Sequence, residues 1–574
     1  MQTLARRVER GGALAFSGVA APAQPFLAAL LRNFFPRRTI VVVTENLKAQ
    51  ESFQQDLETW LAEMRSAEMR SAECGMRNET GVPSSILDPP SSPLFYPAWE
   101  ILPHEGKLPH ADVISERLQT LVALRESQIS NFKSQIIVAS VTALLQKTFA
   151  PDDLKERLRP LRRGDKIAPL DLIEFLEEQG YEPEAQVSQK GELALRGGIV
   201  VLFPPSSPWP VRLEFFGDEL ESLRFFDPGT QISREEISEV IIPPAGEIGI
   251  LKQSEGRVPR VPDQELGTRG DRPSENKALA TLLDHLPCET IFLLCEPDSL
   301  AIHADSYSQQ IPQDDPFFIA WLDFLAELNR RGFTSVELND TETIGAPVSD
   351  PARFNVWNAQ NAGPEAGAPH FSSLDAFRPL AERAPEPQIA EVQRREFFQQ
   401  LHRWLRQDYA VHVFCNNDGE RERFLEIWME LVGQASSLPA KREGGFVSQG
   451  IGRLEARPTI HLGSLARGFL CDEAKLVVVT DAEIFGRYKI QRPRKLKSAH
   501  AVAARSALDI DFTDLEEGDL VVHLQHGIGR YLGLKNLPAM PDELDRLEAC
   551  STNSPQISSK RCRSPSLLQK TWTA

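Results

Sequence analysis

A multidomain α/β protein is the fold class that three features of this 574-residue sequence predict. The length exceeds what one hydrophobic core can serve: at roughly 100–200 residues per domain, about three to five units are expected. Short β-branched runs alternate with stretches of helical apolar spacing, the order that parallel sheets require. Apolar residues at 41 % and charged residues at 25 % are the values of an ordinary globular chain.

In chain order, TIVVVT (39–44) reads as a buried strand feeding a helix whose apolar spacing runs over 49–61. The five-residue near-repeat AEMRS AEMRS AECGMR (62–77) and the Pro/Ser-rich GVPSSILDPPSSP (81–93) read as an inserted loop. Helical spacing returns in VISERLQTLVAL (113–124), before a second buried strand, IIVASV (136–141). Residues 1–150 are therefore expected to form one parallel α/β domain. Between 161 and 227 a helix (170–179) precedes short strands punctuated by Gly and Pro, which predicts a small α+β domain inserted at 151–228, with a return to the first domain at 229–252. A polar Gly/Pro-rich loop (253–275) marks a linker over 253–285. The strands TIFLLC (290–295), AVHVFC (410–415) and KLVVVT (475–480) then predict a further α/β domain at 286–488, with another inserted loop at 433–445. A basic linker is expected at 489–510, and GDLVVHLQHGIGRYLGL (518–534) opens a β-rich module at 511–537. From 538 the chain turns Ser-rich, loses strand periodicity, and reads as a disordered or aberrant tail that stops before the module forms a sheet of useful size.

A formal charge of −18 argues against a dedicated nucleic-acid binder, because phosphate contacts need a basic surface. Any DNA role is expected to be weak or indirect. The stretch RYKIQRPRKLK (487–497) is the local exception, and a solvated linker is its simpler reading. No apolar run approaches the ~18 residues that span a bilayer, and the first residues carry too short an apolar stretch for a secretory signal, so a cytoplasmic location is expected. The seven cysteines show no C-x-x-C pair and no neighbouring His at ligand spacing, and are expected to be reduced packing residues.

Chemistry is sparse. No G-x-x-x-x-G-K-[ST] phosphate loop occurs; the nearest relic, FSGVAAPAQP (16–25), lacks both the Lys and the hydroxyl. Asp481 and Glu483, closing the strand in VVVTDAEIF, look superficially like the metal-holding acid of a nucleotide hydrolase, but a strand-end turn with a solvated acidic pair fits better without a phosphate loop. His523 and His526 flank a Gly-x-Gly turn without a third ligand. No catalytic or metal-binding residue is assigned. More informative are GELALRGGIVVLFP (191–204) and VRLEFFGDELESLRFFD (211–227), which set Arg196 and Arg212 beside Phe215 and Phe216. Arg with aromatics on a sheet is the composition of a protein-binding hot spot, and alternation turns one of the two Phe inward.

Those two segments are similar to the UvrA-binding domain shared by the excision-repair protein UvrB and the bacterial transcription-repair coupling factors. Residues 95–121 and 136–146 resemble the UvrB-homology module of the coupling factors. HLGSLARGFLCDEAKLVVVTDAEIFGRYK (461–489) and LEEGDLVVHLQHGIGRYLGL (515–534) resemble their third domain and the opening of their RNA-polymerase-interacting domain, neither of which UvrB has. The resemblance implies a degenerate RecA-like sheet, an inserted UvrA-binding domain, a second α/β domain and a truncated CarD-like module. It implies that Arg196, Arg212 and Phe216 contact UvrA, and that Ile528, Arg530 and Tyr531 begin a polymerase-binding surface. Full-length members add an ATP- and Mg-dependent motor that displaces stalled polymerase from DNA, and a C-terminal domain that masks the UvrA face. No motor sequence is present here, and no cofactor is expected for these residues. The departure suggests a frameshift, a premature stop or a fragmentary gene model. The expected function is thus an adaptor that recruits UvrA to stalled polymerase without hydrolysing ATP; the alternative is a piece of an ATP-dependent DNA translocase.

Overall fold

The computed structural model describes residues 2–73, 92–130, 135–229, 232–256, 279–340, 370–374, 377, 387–436, 457–485, 520–523, 527–536 and 568–573. Two compact units result, Met1–Ser498 and Ala499–Ala574.

The first unit is built on a parallel sheet of six strands in the order Ala13–Ser17, Thr334–Asn339, Ile291–Cys295, Ile40–Thr44, Ile136–Ser140, Leu94–Tyr96. The central strands Ile291–Cys295, Ile40–Thr44 and Ile136–Ser140 are buried at every position, as unbroken apolar runs must be when helices cover both faces. Alternate residues feed two cores. Val41, Val43, Ile137, Phe292 and Leu294 pack with Leu118 and Leu121, while Ile40, Val42, Val138 and Leu293 pack with Leu27, Leu31 and Leu57.

The expected domain boundaries shift in two places. The strand Ile291–Cys295, grouped by sequence with the later strands, lies in the middle of the first sheet, and Thr334–Asn339 follows it there. An apolar strand carries no label for the sheet it joins, and this one returns to its sheet only after the inserted domain has been completed. That insertion also runs further than 228. Ser233–Glu236 pairs with Glu219–Phe226, and Glu239–Ile242 pairs with Arg159–Arg162, so the chain re-enters the first module only near Glu247. The near-repeat expected to be a loop is helical as far as Glu73, in a 27-residue helix Leu47–Glu73. Ala, Glu, Met and Arg are strong helix formers and extend a helix already nucleated by packing. Helix likewise covers 253–256 and 433–436, the first residues of two expected loops; the remainder of both, and the basic stretch 487–497, lie outside the described residues.

The inserted domain is a six-stranded sheet ordered Ser233–Glu236, Glu219–Phe226, Val211–Phe216, Ile199–Leu202, Glu192–Arg196, Glu182–Pro183. Leu172 and Leu176 of the helix Pro169–Glu178 join Val200, Leu202, Leu213 and Leu223 in its core. The domain is fastened to the first module by Ser115, whose Oγ donates to the Pro205 carbonyl at 2.6 Å, and by Lys190, whose Nζ donates to both at 2.8 Å. Where the chain returns, Glu247 is buried in an ion pair with Arg117, Nε to Oε2 2.8 Å, both side chains wholly excluded from solvent.

A five-stranded sheet follows, ordered Phe371–Ser373, Phe469–Cys471, Leu476–Thr480, Ala410–Cys415, Thr459–Leu462. An aromatic cluster joins it to the first module: Phe469 sits 5.5 Å from Phe26, 6.1 Å from Trp60 and 5.7 Å from Phe371 between ring centroids. Among the described residues no helix is long and apolar enough to cross a membrane.

The second unit contains an antiparallel three-stranded sheet, Leu520–His523, Gly527–Asn536 and Leu568–Thr573. The tail expected to lack strand periodicity thus supplies a strand, whose alternating Thr571, Trp572 and Thr573 have the β-branched and aromatic character that pleated sheets favour.

Candidate protein-binding face and the vacated phosphate loop

The outer face of the inserted sheet is assembled by register. Arg196, Ile199, Glu214 and Ser222 fall in one cross-strand row, and Ala194, Val201, Arg212, Arg224 and Glu236 in the next. Opposed arginines repel unless each has somewhere to place its charge. The Arg212 guanidinium lies 5.0 Å from the centroid of buried Phe226 and donates to Ser233 Oγ at 3.3 Å. Arg224 turns instead toward Glu214, 3.9 Å away, and Ser222 Oγ donates to the same carboxylate at 2.6 Å. Exposed Arg196, at the end of its strand, donates to the Ala185 carbonyl.

Phe215 and Phe216 divide as alternation requires. Phe215 packs on the core, and its amide donates to the Gly198 carbonyl at 2.8 Å. Phe216 is 81 % exposed at the tip of the hairpin, beside Gly217, whose φ of +63° the turn needs. That backbone bond sets the hairpin tip carrying Phe216 beside the turn that follows Arg196. The face therefore offers an exposed aromatic, the three arginines Arg196, Arg212 and Arg224, and the two carboxylates Glu214 and Glu236. It can grip a protein surface. Glu214 and Arg224 were not singled out from sequence, although their parity with Arg212 in VRLEFF and ESLRFF was the signal.

The phosphate-loop relic has the right topology and the wrong partners. It links the strand Ala13–Ser17 to the helix Gln24–Phe34, as a phosphate loop does. Phosphate binding needs free backbone amides. Here the Val19 amide donates to the Asn339 carbonyl and the Ala20 amide to the Phe371 carbonyl, both at 2.9 Å, while Phe371 N donates to Gly18 O at 2.7 Å. The chain's own strand Phe371–Ser373 takes up the loop. Gly18 has φ +73°, and a Cβ there would come within 2.5 Å of the His370 ring. Gly18→Ala is therefore expected to destabilise the protein by about 1–3 kcal/mol, read as a fall in the urea midpoint.

Asp481 and Glu483 are buried rather than solvated, at 6 % and 1 % exposure. Glu483 accepts from Thr480 N at 2.8 Å, Thr480 Oγ1 at 2.6 Å and Gly468 N at 3.2 Å, and Asp481 accepts from Asn416 Nδ2. They close a helix start. Among the described residues no group of three or more His, Cys, Asp or Glu is placed to hold a metal. His526 lies outside the described residues, and His523 is placed only as the end of a strand. Ile528 and Arg530 pair with Val522 and Leu520, and Tyr531 with Trp572, on the strand Gly527–Asn536.

Comparison with known proteins agrees with this layout. The UvrB interaction domain family matches residues 160–247, the span of the insertion in the structure. The CarD-like/TRCF RID domain family matches residues 515–548. Transcription-repair-coupling factors of Haemophilus influenzae, Staphylococcus epidermidis and Myxococcus xanthus are 27 %, 26 % and 26 % identical, each over 77 % of this chain and 38 % of the relative. The chain thus spans 38 % of the length of these relatives.

Proposed function

From a likeness to the N-terminal part of the transcription-repair coupling factors that extends over 77 % of the chain, we propose that this protein is an adaptor in transcription-coupled nucleotide-excision repair, recruiting UvrA to stalled RNA polymerase. The observation that carries the reading is the outer face of the inserted sheet, with Phe216 81 % exposed at the tip of the hairpin whose strand carries Arg212, beside the turn that follows Arg196. An exposed aromatic flanked by guanidiniums costs solubility and is retained where a partner covers it. The polymerase contact would start at Ile528, Arg530 and Tyr531. No ATP is required by this reading, which is supported by the Val19 and Ala20 amides being spent on the Asn339 and Phe371 carbonyls.

The test is capture of UvrA by the purified chain without nucleotide. The Arg196→Ala/Arg212→Ala/Phe216→Ala variant is expected to bind at least about a hundredfold more weakly, since central aromatic and Arg anchors carry most of such energies. A melting control belongs with it, because Arg212 shelters Phe226. A strong ATP dependence of wild-type binding would contradict the reading. A second reading, that these residues are part of an ATP-dependent DNA translocase, is favoured by the 38 % coverage of the relatives. Downstream DNA encoding a G-x-x-x-x-G-K-[ST] loop would decide for it.

A further inference from the structure

We infer that Glu63, His461 and His412 form an acid-sensitive clasp, which fastens the edge of the later five-stranded sheet to the helix Leu47–Glu73 at neutral pH and opens when both imidazoles are protonated. The three side chains come from three elements. His412 lies in the strand Ala410–Cys415 and His461 in its parallel neighbour Thr459–Leu462, the last strand of that sheet, while Glu63 belongs to the helix of the first module. His461 Nδ1 stands 3.1 Å from Glu63 Oε1, and its Nε2 stands 2.9 Å from His412 Nδ1. The two imidazole centroids lie 5.1 Å apart with planes 23° apart, close to the largest separation that this nitrogen contact permits, so the rings meet edge to edge with those nitrogens facing each other. The His461 side chain is 9 % exposed, and the Phe414 ring stacks on it at 4.8 Å.

Proton counting limits what this line of groups can hold. A carboxylate only accepts, so His461 Nδ1 carries a proton, and the two facing nitrogens need one proton between them, a donor on one ring and a lone pair on the other. The contact therefore survives with both rings neutral, His412 Nδ1–H donating to His461 Nε2, and with one ring cationic. A second cation puts a proton on both facing nitrogens, which removes the acceptor and sets two like charges in contact. Burial, and then the charge of His461, hold the His412 pKa below its usual value against the pull of Glu63. An unfolded histidine takes up its proton near pH ~6.5 and the folded His412 only at lower pH, so the stability due to the clasp is complete above that value and is lost as pH falls through the folded-state pKa. On the helix, Glu58 borders with Glu63 a cavity of about 340 Å³ beside Phe414 and Leu462. Leu476, Val478 and Phe469 on the neighbouring strands are apolar, and burial keeps the Cys471 thiol protonated. The same helix also holds the sheet edge through Thr59, whose Oγ1 donates to the Ser464 carbonyl at 2.8 Å, and Asp56, which accepts from the Ala466 amide at 2.8 Å. Imidazole is the side chain whose ordinary pKa puts its charge change between about pH 5 and 8, so mild acid opens the clasp and leaves the other two links.

The experiment follows amide hydrogen exchange of the full chain from about pH 8 down to about pH 5, corrected for the intrinsic pH dependence of exchange, in the wild type, His412→Asn and Glu63→Gln. Wild-type protection of the amides of Thr459–Leu462 is expected to fall roughly tenfold for each pH unit below the His412 transition, while the buried strand Ile291–Cys295 keeps its protection. Asn places an amide N–H where His412 Nδ1–H stands and takes up no proton, so His412→Asn should hold the clasp shut across the range. Glu63→Gln removes the charge that favours the imidazolium, so its transition should move to lower pH. Level wild-type protection at Thr459–Leu462, an equal fall at Ile291–Cys295, a wild-type fall in His412→Asn or an unshifted transition in Glu63→Gln would each overturn the inference. If His412→Asn does not fold, the shift in Glu63→Gln decides alone.

Discussion

Glu247→Ala is expected to lower the stability of the full chain by about 3–5 kcal/mol, because it leaves a guanidinium buried without its counter-ion. Glu247 accepts from Arg117 Nε at 2.8 Å, from Trp99 Nε1 at 2.8 Å and from Thr148 Oγ1 at 2.7 Å, so one carboxylate satisfies three buried donors. Arg117 is boxed in further by the rings of Tyr96 and Trp99, 4.3 and 4.7 Å from its guanidinium carbon, and by the Pro97 carbonyl at 2.9 Å. Burial alone would lower the Arg117 pKa, but the adjoining carboxylate outweighs it and holds the group above its usual value. The guanidinium thus stays charged, and removing Glu247 leaves it unpaired rather than neutral. Urea unfolding followed by tryptophan fluorescence reads the loss directly, Trp99 being part of the network. Replacing both partners together, Arg117→Met with Glu247→Leu, should recover much of it, since well-packed apolar groups replace a buried pair at little cost. A double variant no more stable than Glu247→Ala would show that packing around the pair, not charge, sets the loss.

Phe469→Ala should cost a comparable ~3–5 kcal/mol by opening a cavity that rigid neighbours cannot fill. The Phe469 ring is fully buried among Phe26, Trp60 and Phe371, which come from a helix of the first sheet, a second such helix and the edge of the later sheet. Trp60 in turn meets Phe414 at 5.0 Å. One aromatic thus joins three elements, and its loss should act on how the later sheet is held as well as on its own core. Limited proteolysis gives the local readout: cleavage within 387–485 should accelerate more than cleavage within the inserted domain. Equal acceleration in both would mean that the cluster stabilises the unit as a whole and does not act as a joint.

How far the site could be read in advance varied by residue. Alternation along 211–216 is local and so predicted that one of Phe215 and Phe216 turns inward, whereas the choice of Arg196, Arg212 and Phe216 as the partner-facing set came from the family resemblance. Leu170 was not singled out, although in PLDLIEFLEE it stands two residues before Leu172 and so off the buried Leu172/Leu176 stripe, and it is 69 % exposed. The buried state of Asp481 and Glu483 was out of reach, because it depends on Asn416, just after the strand Ala410–Cys415, and Gly468, just before the strand Phe469–Cys471.

By itself, the sequence determined the α/β class, the buried parallel strands, the inserted small domain, the absence of a G-x-x-x-x-G-K-[ST] loop in these 574 residues and the Arg/Phe composition of one sheet face. These follow from local pattern and residue chemistry, which the chain carries wherever it folds. Tertiary structure alone decided that Ile291–Cys295 pairs with Ile40–Thr44 in the first sheet, that Glu247 closes the insertion onto Arg117, and that the Asn339 and Phe371 carbonyls take the Val19 and Ala20 amides. Each of these is a contact between segments at least 130 residues apart, as Arg117 is from Glu247, and the energy that selects it comes from burying groups that meet only after the chain has folded.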